Sequence, residues 1–159
     1  AGVKRVPVLR FGVAGSGAML NHVIRRVARL GIADRFHFSG FLRGEDVHKM
    51  FQLSDVYVMP SVSEPFGISP LEAMRSNVPV IISKQSGVAE VLDYAVKVDY
   101  WDVDALADAI YALVKYPALG QMFASKGLEE VTNLKWNDAA AKIKTVYEAA
   151  IEENQKQNK

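Results

Sequence analysis

Two carboxylates, Glu64 and Glu72, bracket the seven residues Pro65-Phe66-Gly67-Ile68-Ser69-Pro70-Leu71. The β-rich run before them, VYVM at 56–59, reads as a strand, and Pro70 sits where a proline opens the first turn of a helix. The free N–H groups and the dipole at such a helix start attract an anion, so Gly67, Ile68 and Ser69 are expected to cradle phosphate oxygens. Glu64 falls in the loop and Glu72 in the first helical turn, so they flank that anion rather than occupy its place. Carboxylates accept hydrogen bonds from hydroxyls. One on either side of a phosphate cradle suits a molecule with a sugar at each end of a diphosphate. Taken singly, Glu72 is better explained by the helix dipole and Glu64 by solvation; taken together with Phe66-Gly67, the pair favours a ligand.

Other candidate chemistry is thinner. In open α/β sheets ligands bind outside the carboxyl ends of the strands, which brings Ala14-Gly15-Ser16-Gly17 into play after the first strand. A dinucleotide fingerprint needs a small residue where Leu20 stands, and an acid at the end of the next strand, where the chain reads Ser39-Gly40-Phe41-Leu42. Gly15 therefore reads first as part of a tight turn. Lys84, after the fourth strand, is at the correct end to meet phosphate, or is simply a solvated loop lysine. Asp102-Val103-Asp104 imitates a metal-binding pair but opens an amphipathic helix, where Asp102 is expected to cap; no metal is expected. His22, His37 and His48 lie on different elements, and no catalytic triad can be built from them.

The elements that must position these residues alternate between short β-rich runs and longer helical periods, the pattern of βαβ units with a parallel sheet. The expected strands are VLRFGVA (8–14), RFHF (35–38), VYVM (56–59), PVII (79–82) and AVKV (95–98). Leu20, Val23, Ile24, Val27 and Leu30 recur at helical spacing, with Gly31 placed to end that helix. Residues 45–53 and 70–76 read as crossover helices. Three more are expected toward the end: one through Val103, Leu106, Ile110 and Leu113, one from Pro117, and one through Ala140, Ile143, Val146, Tyr147 and Ile151. Residues 1–151 form one expected domain, followed by a polar tail over 152–159 that frays.

Composition bounds what this arrangement serves. The chain has 159 residues, half of them hydrophobic, enough for a single core without covalent staples. Cysteine is absent, which removes disulfides, thiolate metal sites and a Cys nucleophile; the cytoplasm is the default location. Nineteen basic residues balance eighteen acidic ones, and no basic run stands out, so nucleic acid is not an expected partner. No apolar run is long enough for a transmembrane helix or a signal peptide.

Glu64-Pro-Phe-Gly-Ile-Ser-Pro-Leu-Glu72-Ala-Met, then Asn77-Val-Pro-Val-Ile-Ile-Ser, then Ser86-Gly87-Val-Ala-Glu90-Val, resembles the C-terminal, donor-binding half of group 1 retaining glycosyltransferases with the GT-B fold. The likeness runs from the GSG loop through this E-x7-E motif to Leu134-Lys135-Trp136 and the terminal helix. It implies a three-layer Rossmann-like α/β domain that takes a nucleotide-diphospho-sugar as substrate and transfers its hexose to an acceptor hydroxyl, with no cofactor. By resemblance, Glu64 contacts sugar hydroxyls and is the catalytic candidate, through electrostatic support of the transition state. Phe66, Gly67, Ile68 and Ser69 meet sugar and diphosphate, Glu72 holds the ribose, and Gly40, Phe41 and Leu42 face the nucleobase.

The resemblance also implies an acceptor-binding domain upstream, and a first βα unit, carrying an Arg and a Lys for the diphosphate, that this sequence lacks. Lys4 and Arg5 are expected at the opposite end of the sheet. The isolated chain is then expected to be inactive, with a strand missing between residues 8–14 and 56–59. Direct pairing of those two runs is the expected remedy, with a homodimer through the incomplete sheet as second choice. Alternative functions are a nucleotide-binding or interaction module without catalysis, and part of a nucleotide-sugar epimerase of related fold.

Overall fold

A computed structural model describes Val6 and residues 8–157, with the side chain of Gln157 left aside; Lys4 and Arg5 lie outside the described residues. The chain runs β1 (Phe11–Ala14), α1 (Leu20–Arg29), a 3-10 turn (Ala33–Arg35), β2 (Phe36–Gly40), α2 (Glu45–Gln52) and β3 (Tyr57–Met59). It continues through α3 (Ser69–Arg75), β4 (Val80–Ser83), a 3-10 turn (Gly87–Glu90), β5 (Val96–Val98), α4 (Val103–Lys115), α5 (Pro117–Asn133) and α6 (Trp136–Gln157). All five expected strands form, and every pairing is parallel.

The centre is β4, whose four residues are all buried. Val80 and Ile82 point to one face, where they join Phe51, Met59, Ala73, Met74, Val88 and Leu92. Ile81 points to the other, against Val98 of β5 and Leu113 of α4. This strict alternation is what a strand covered by helices on both sides requires. α5 wraps the edge, its Gly127 against Met74 and its Gly120 against the Leu113 carbonyl. Gly31 takes φ +66° and Asp102 caps α4 by accepting the Ala105 N–H at 2.9 Å, both as expected; Asn77, at the end of α3, takes φ +59°, a conformation asparagine tolerates.

The sheet is in two pieces, β1-β2 and β3-β4-β5. The expected direct pairing of the first and third strands does not form. The reason lies in α2, which straddles both pieces: Met50 is seated against Gly12 of β1, while its neighbour Phe51 stacks edge-on with Tyr57 of β3 at 5.4 Å. A helix about 10 Å across covers about two strand spacings, so a helix anchored on both flanks holds β1 and β3 apart. The first piece is thinly packed: among the described residues, Val27 is the one buried hydrophobic residue before Phe51. At the other end, α6 continues through residues 152–157 of the expected polar tail and is exposed along its length, with Trp136, Ile143, Val146, Tyr147 and Ile151 in solvent.

Candidate functional site

The loop that leaves β3 at Met59 is held by the loop that leaves β4. The Gly87 N–H donates to the Glu64 carbonyl at 2.9 Å and the Val88 N–H to the Phe66 carbonyl at 2.8 Å. Beneath these, the buried Ser83 hydroxyl donates to the Ser61 carbonyl at 2.6 Å and the buried Ser86 hydroxyl to the Ser83 carbonyl at 2.7 Å. Gly87 is required by space, because a Cβ there would overlap the Pro65 carbonyl. Gly67 is required by conformation, with φ +90°, and a Cβ there would lie 3.1 Å from Cγ of Glu64. The Glu64 side chain thus folds over the glycine that starts the turn into α3.

Tyr57 feels the charge of both carboxylates. Burial raises its phenol above the ordinary value, a hydrogen bond with the Ser69 side chain opposes the rise, and the charges of Glu72 and Glu64 add to it. Both acids therefore lie within electrostatic reach of one hydroxyl at the start of α3. The Ser69 hydroxyl also lies 3.9 Å from the Met59 sulfur. Among the described residues, the N–H groups of Gly67, Ile68 and Ser69 donate to no protein acceptor, as expected where a helix begins. Glu72 is exposed and Glu64 half-buried.

Glu72 also lines a recess of about 160 Å³ with Gly44, Val47, His48 and Phe51, all at the start or along the inner side of α2. None of these four stands among the residues expected from sequence. The available signal was Gly44, two residues after the 40–42 segment, and it takes φ +53°. That segment leads into the recess: Gly40 ends β2 at φ +71°, Leu42 is half-buried, and Phe41 is exposed with the Arg43 guanidinium 5.2 Å from its ring.

Two candidates are occupied otherwise. The Gly15 N–H donates to the Gly40 carbonyl at 2.7 Å, so this glycine joins the ends of β1 and β2. The Lys84 ammonium pairs with Asp99 at 2.8 Å; this bond, with one from Gln85, holds the Asp99 carboxyl below its ordinary value.

The family profile described as "Glycosyl transferases group 1" matches residues 2–130. An uncharacterized glycosyltransferase of Methanocaldococcus jannaschii is 30% identical over 145 residues, covering 88% of this chain and 37% of that relative. The chain therefore spans little more than a third of that protein. The C-terminal domain of a glycosyl transferase group 1 family protein from Francisella tularensis superposes with a TM-score of 0.75 at 24% identity, covering 82% of this chain and 72% of that one. HepE of Anabaena, solved with UDP-glucose, superposes with a TM-score of 0.72 at 20% identity, covering 82% of this chain and 39% of that one.

Proposed function

This chain belongs to the group 1 glycosyl transferases, and from that premise we propose that it is the donor-binding part of a retaining glycosyltransferase that uses a nucleotide-diphospho-sugar. The observation that carries the reading is the row of free N–H groups of Gly67, Ile68 and Ser69 at the start of α3, with the Glu64 side chain over Gly67 and Glu72 in the first turn of the helix. In this reading the diphosphate lies against the N–H groups of Gly67, Ile68 and Ser69. Glu64 accepts hydrogen bonds from the hexose and Glu72 from the ribose. The base lies toward Gly40–Leu42 and the recess at Gly44 and His48. UDP is the first nucleotide to try, since HepE, a neighbour in fold, was solved with UDP-glucose.

In the transfer, the anomeric C–O bond to the diphosphate breaks and the nucleoside diphosphate leaves with the electron pair. The acceptor oxygen bonds to the same carbon from the same face, and its proton passes to the departing phosphate oxygen. Glu64 supports the positive charge that builds on the sugar. The acceptor side belongs to a domain outside this chain. The divided sheet and the uncovered apolar stripe of α6 support that reading, because each is a surface a further part of the protein would cover.

The test is a binding panel of UDP, GDP, ADP and their sugars with the intact protein. Glu72→Ala should weaken free nucleotide and nucleotide-sugar alike by about 10–150-fold, the worth of one or more hydrogen bonds to a charged group. Glu64→Ala should weaken only the sugar-bearing ligands. Equal losses with free nucleotide would contradict this division of roles.

A further inference from the structure

The near-neutral net charge conceals a segregation along the chain. Residues 1–44 hold eight Lys and Arg against the single acid Asp34, a balance of +7; residues 45–159 hold eleven against seventeen, a balance of −6. The described part of the basic stretch is the piece built on β1, α1 and β2. Its positive charge is concentrated on α1, which carries Arg25, Arg26, Arg29 and His22 and no acid. These four side chains line a single open groove. Among the described residues none of the three arginines forms an ion pair or a side-chain hydrogen bond.

At about 100° per residue, Arg25, Arg29, His22 and Arg26 fill an arc of about 100° on the helix, and Met19, Leu30 and Val23 continue it for about 60° more. Met19 and Leu30 flank the helix with helical dihedrals, so the wheel extends to both. All three apolar residues are in solvent, Met19 at 64% and Leu30 at 55% exposure. Val27 follows about 40° beyond Val23 on the wheel and is buried, so the three apolar residues lie between the basic arc and the buried side of the helix. The exposed surface of α1 is thus a basic stripe with an apolar shoulder. It runs for about 10 Å along the helix.

We propose that this face of α1 docks the protein on an anionic lipid surface. A basic stripe alone would suit any polyanion. The shoulder decides the class: a bilayer interface accepts methionine and leucine side chains among its headgroups, whereas a phosphate backbone has no use for them and is met by polar and stacking groups. None of the stripe's residues belongs to the proposed donor site, and the proposal does not rest on which donor is bound.

The experiment is co-sedimentation of the intact protein with vesicles of phosphatidylcholine alone and with 30% phosphatidylglycerol, as a prepared composition. Binding should require phosphatidylglycerol and disappear at high salt. Each basic residue near such a surface is worth about fivefold in partition, so R25Q/R26Q/R29Q should bind roughly 100-fold more weakly. R25K/R26K/R29K should bind as the parent does, since the surface reads charge. M19A/L30A should lose part of the binding that the arginines leave. All of these positions are exposed, and an unchanged melting temperature verifies folding. No binding to anionic vesicles, or undiminished binding by the Gln variant, overturns the proposal. So does tighter binding to a duplex oligonucleotide at equal phosphate with the same sensitivity to the Gln variant, which would make the partner a nucleic acid.

Discussion

Gly87→Ala tests whether the loop carrying Glu64 owes its position to the loop after β4. Gly87 does not need a left-handed backbone; what it lacks is room, since an added Cβ would run into the Pro65 carbonyl and crowd Cα of Phe66, 3.2 Å away. Neither neighbour is the far end of a flexible side chain, so relief requires separating the two loops. Separation lengthens the bond from the Gly87 N–H to the Glu64 carbonyl and strains the one from Val88 to Phe66. Overpacking of this kind costs about 1–3 kcal/mol and one lost backbone hydrogen bond about 1 kcal/mol. The variant should therefore be less stable by about 2–4 kcal/mol, a fall of roughly 4–16 °C in melting temperature for a chain of this size. Affinity for a nucleotide-sugar should fall with it, and more than affinity for the free nucleotide, because Glu64 moves while Glu72, on α3, does not. Gly17→Ala is the control, since a Cβ there meets nothing within 4 Å; it should leave stability unchanged or slightly raised. A Gly87→Ala protein within about 0.5 kcal/mol of the parent by denaturant titration, well below the overpacking cost, with unaltered sugar discrimination, would refute the argument.

Tyr57→Phe keeps the edge-on contact with Phe51 but removes the hydroxyl that hydrogen-bonds with Ser69 and feels both carboxylates; calorimetry should find nucleotide-sugar affinity about 5–10-fold lower, the worth of about one hydrogen bond, with the melting temperature little changed. Ile82→Ala, at a position with no exposed surface between β3 and β5, should cost about 2–5 kcal/mol by denaturant titration. Asp99 has its carboxyl held below the ordinary 3.8 by Lys84, so its contribution is complete above that value and is lost as pH falls through the lower, folded one. Asp99→Asn should accordingly lose that small contribution at neutral pH, match the parent in strong acid, and so show a flatter stability profile below about pH 3.8.

The strands and helices were legible because their signals are local. β4 announces itself as an apolar run of Val80, Ile81 and Ile82 after Pro79, and α3 by Pro70 in its first turn. The E-x7-E spacing gave the carboxylates for the same reason, since a loop and one helical turn are enough to separate them. Tyr57 and His48 were not legible. Tyr57 reaches the site because β3 brings it beneath α3, and His48 because α2 packs beside Glu72, and both facts are tertiary. Lys84 was misleading in the other direction: its place after β4 suggested phosphate, whereas Asp99, fifteen residues on, draws it aside. The failure of β1 to pair with β3 turned on α2, whose two adjacent residues Met50 and Phe51 reach different sheets. No propensity of either strand encodes that.

The division of the sheet also divides the proposed site. Glu64, the Gly67–Ser69 turn and Glu72 ride on the well-packed piece, where β4 and the serine hydrogen bonds fix the loops. Gly40 ends β2 and Phe41 and Leu42 follow it, in the piece where Val27 is the one buried hydrophobic among the described residues, and α2 is the helix that touches both. A ligand held by Glu72 at one end and by residues 40–44 at the other spans this weak junction and adds contacts across it. Its binding energy is then shared with the cost of fixing the two pieces in place. A further strand between β1 and β3 would meet that cost in advance, through backbone hydrogen bonds to both open edges. The same residues would then bind more tightly without any change in what they touch, because the junction no longer has to be ordered by the ligand.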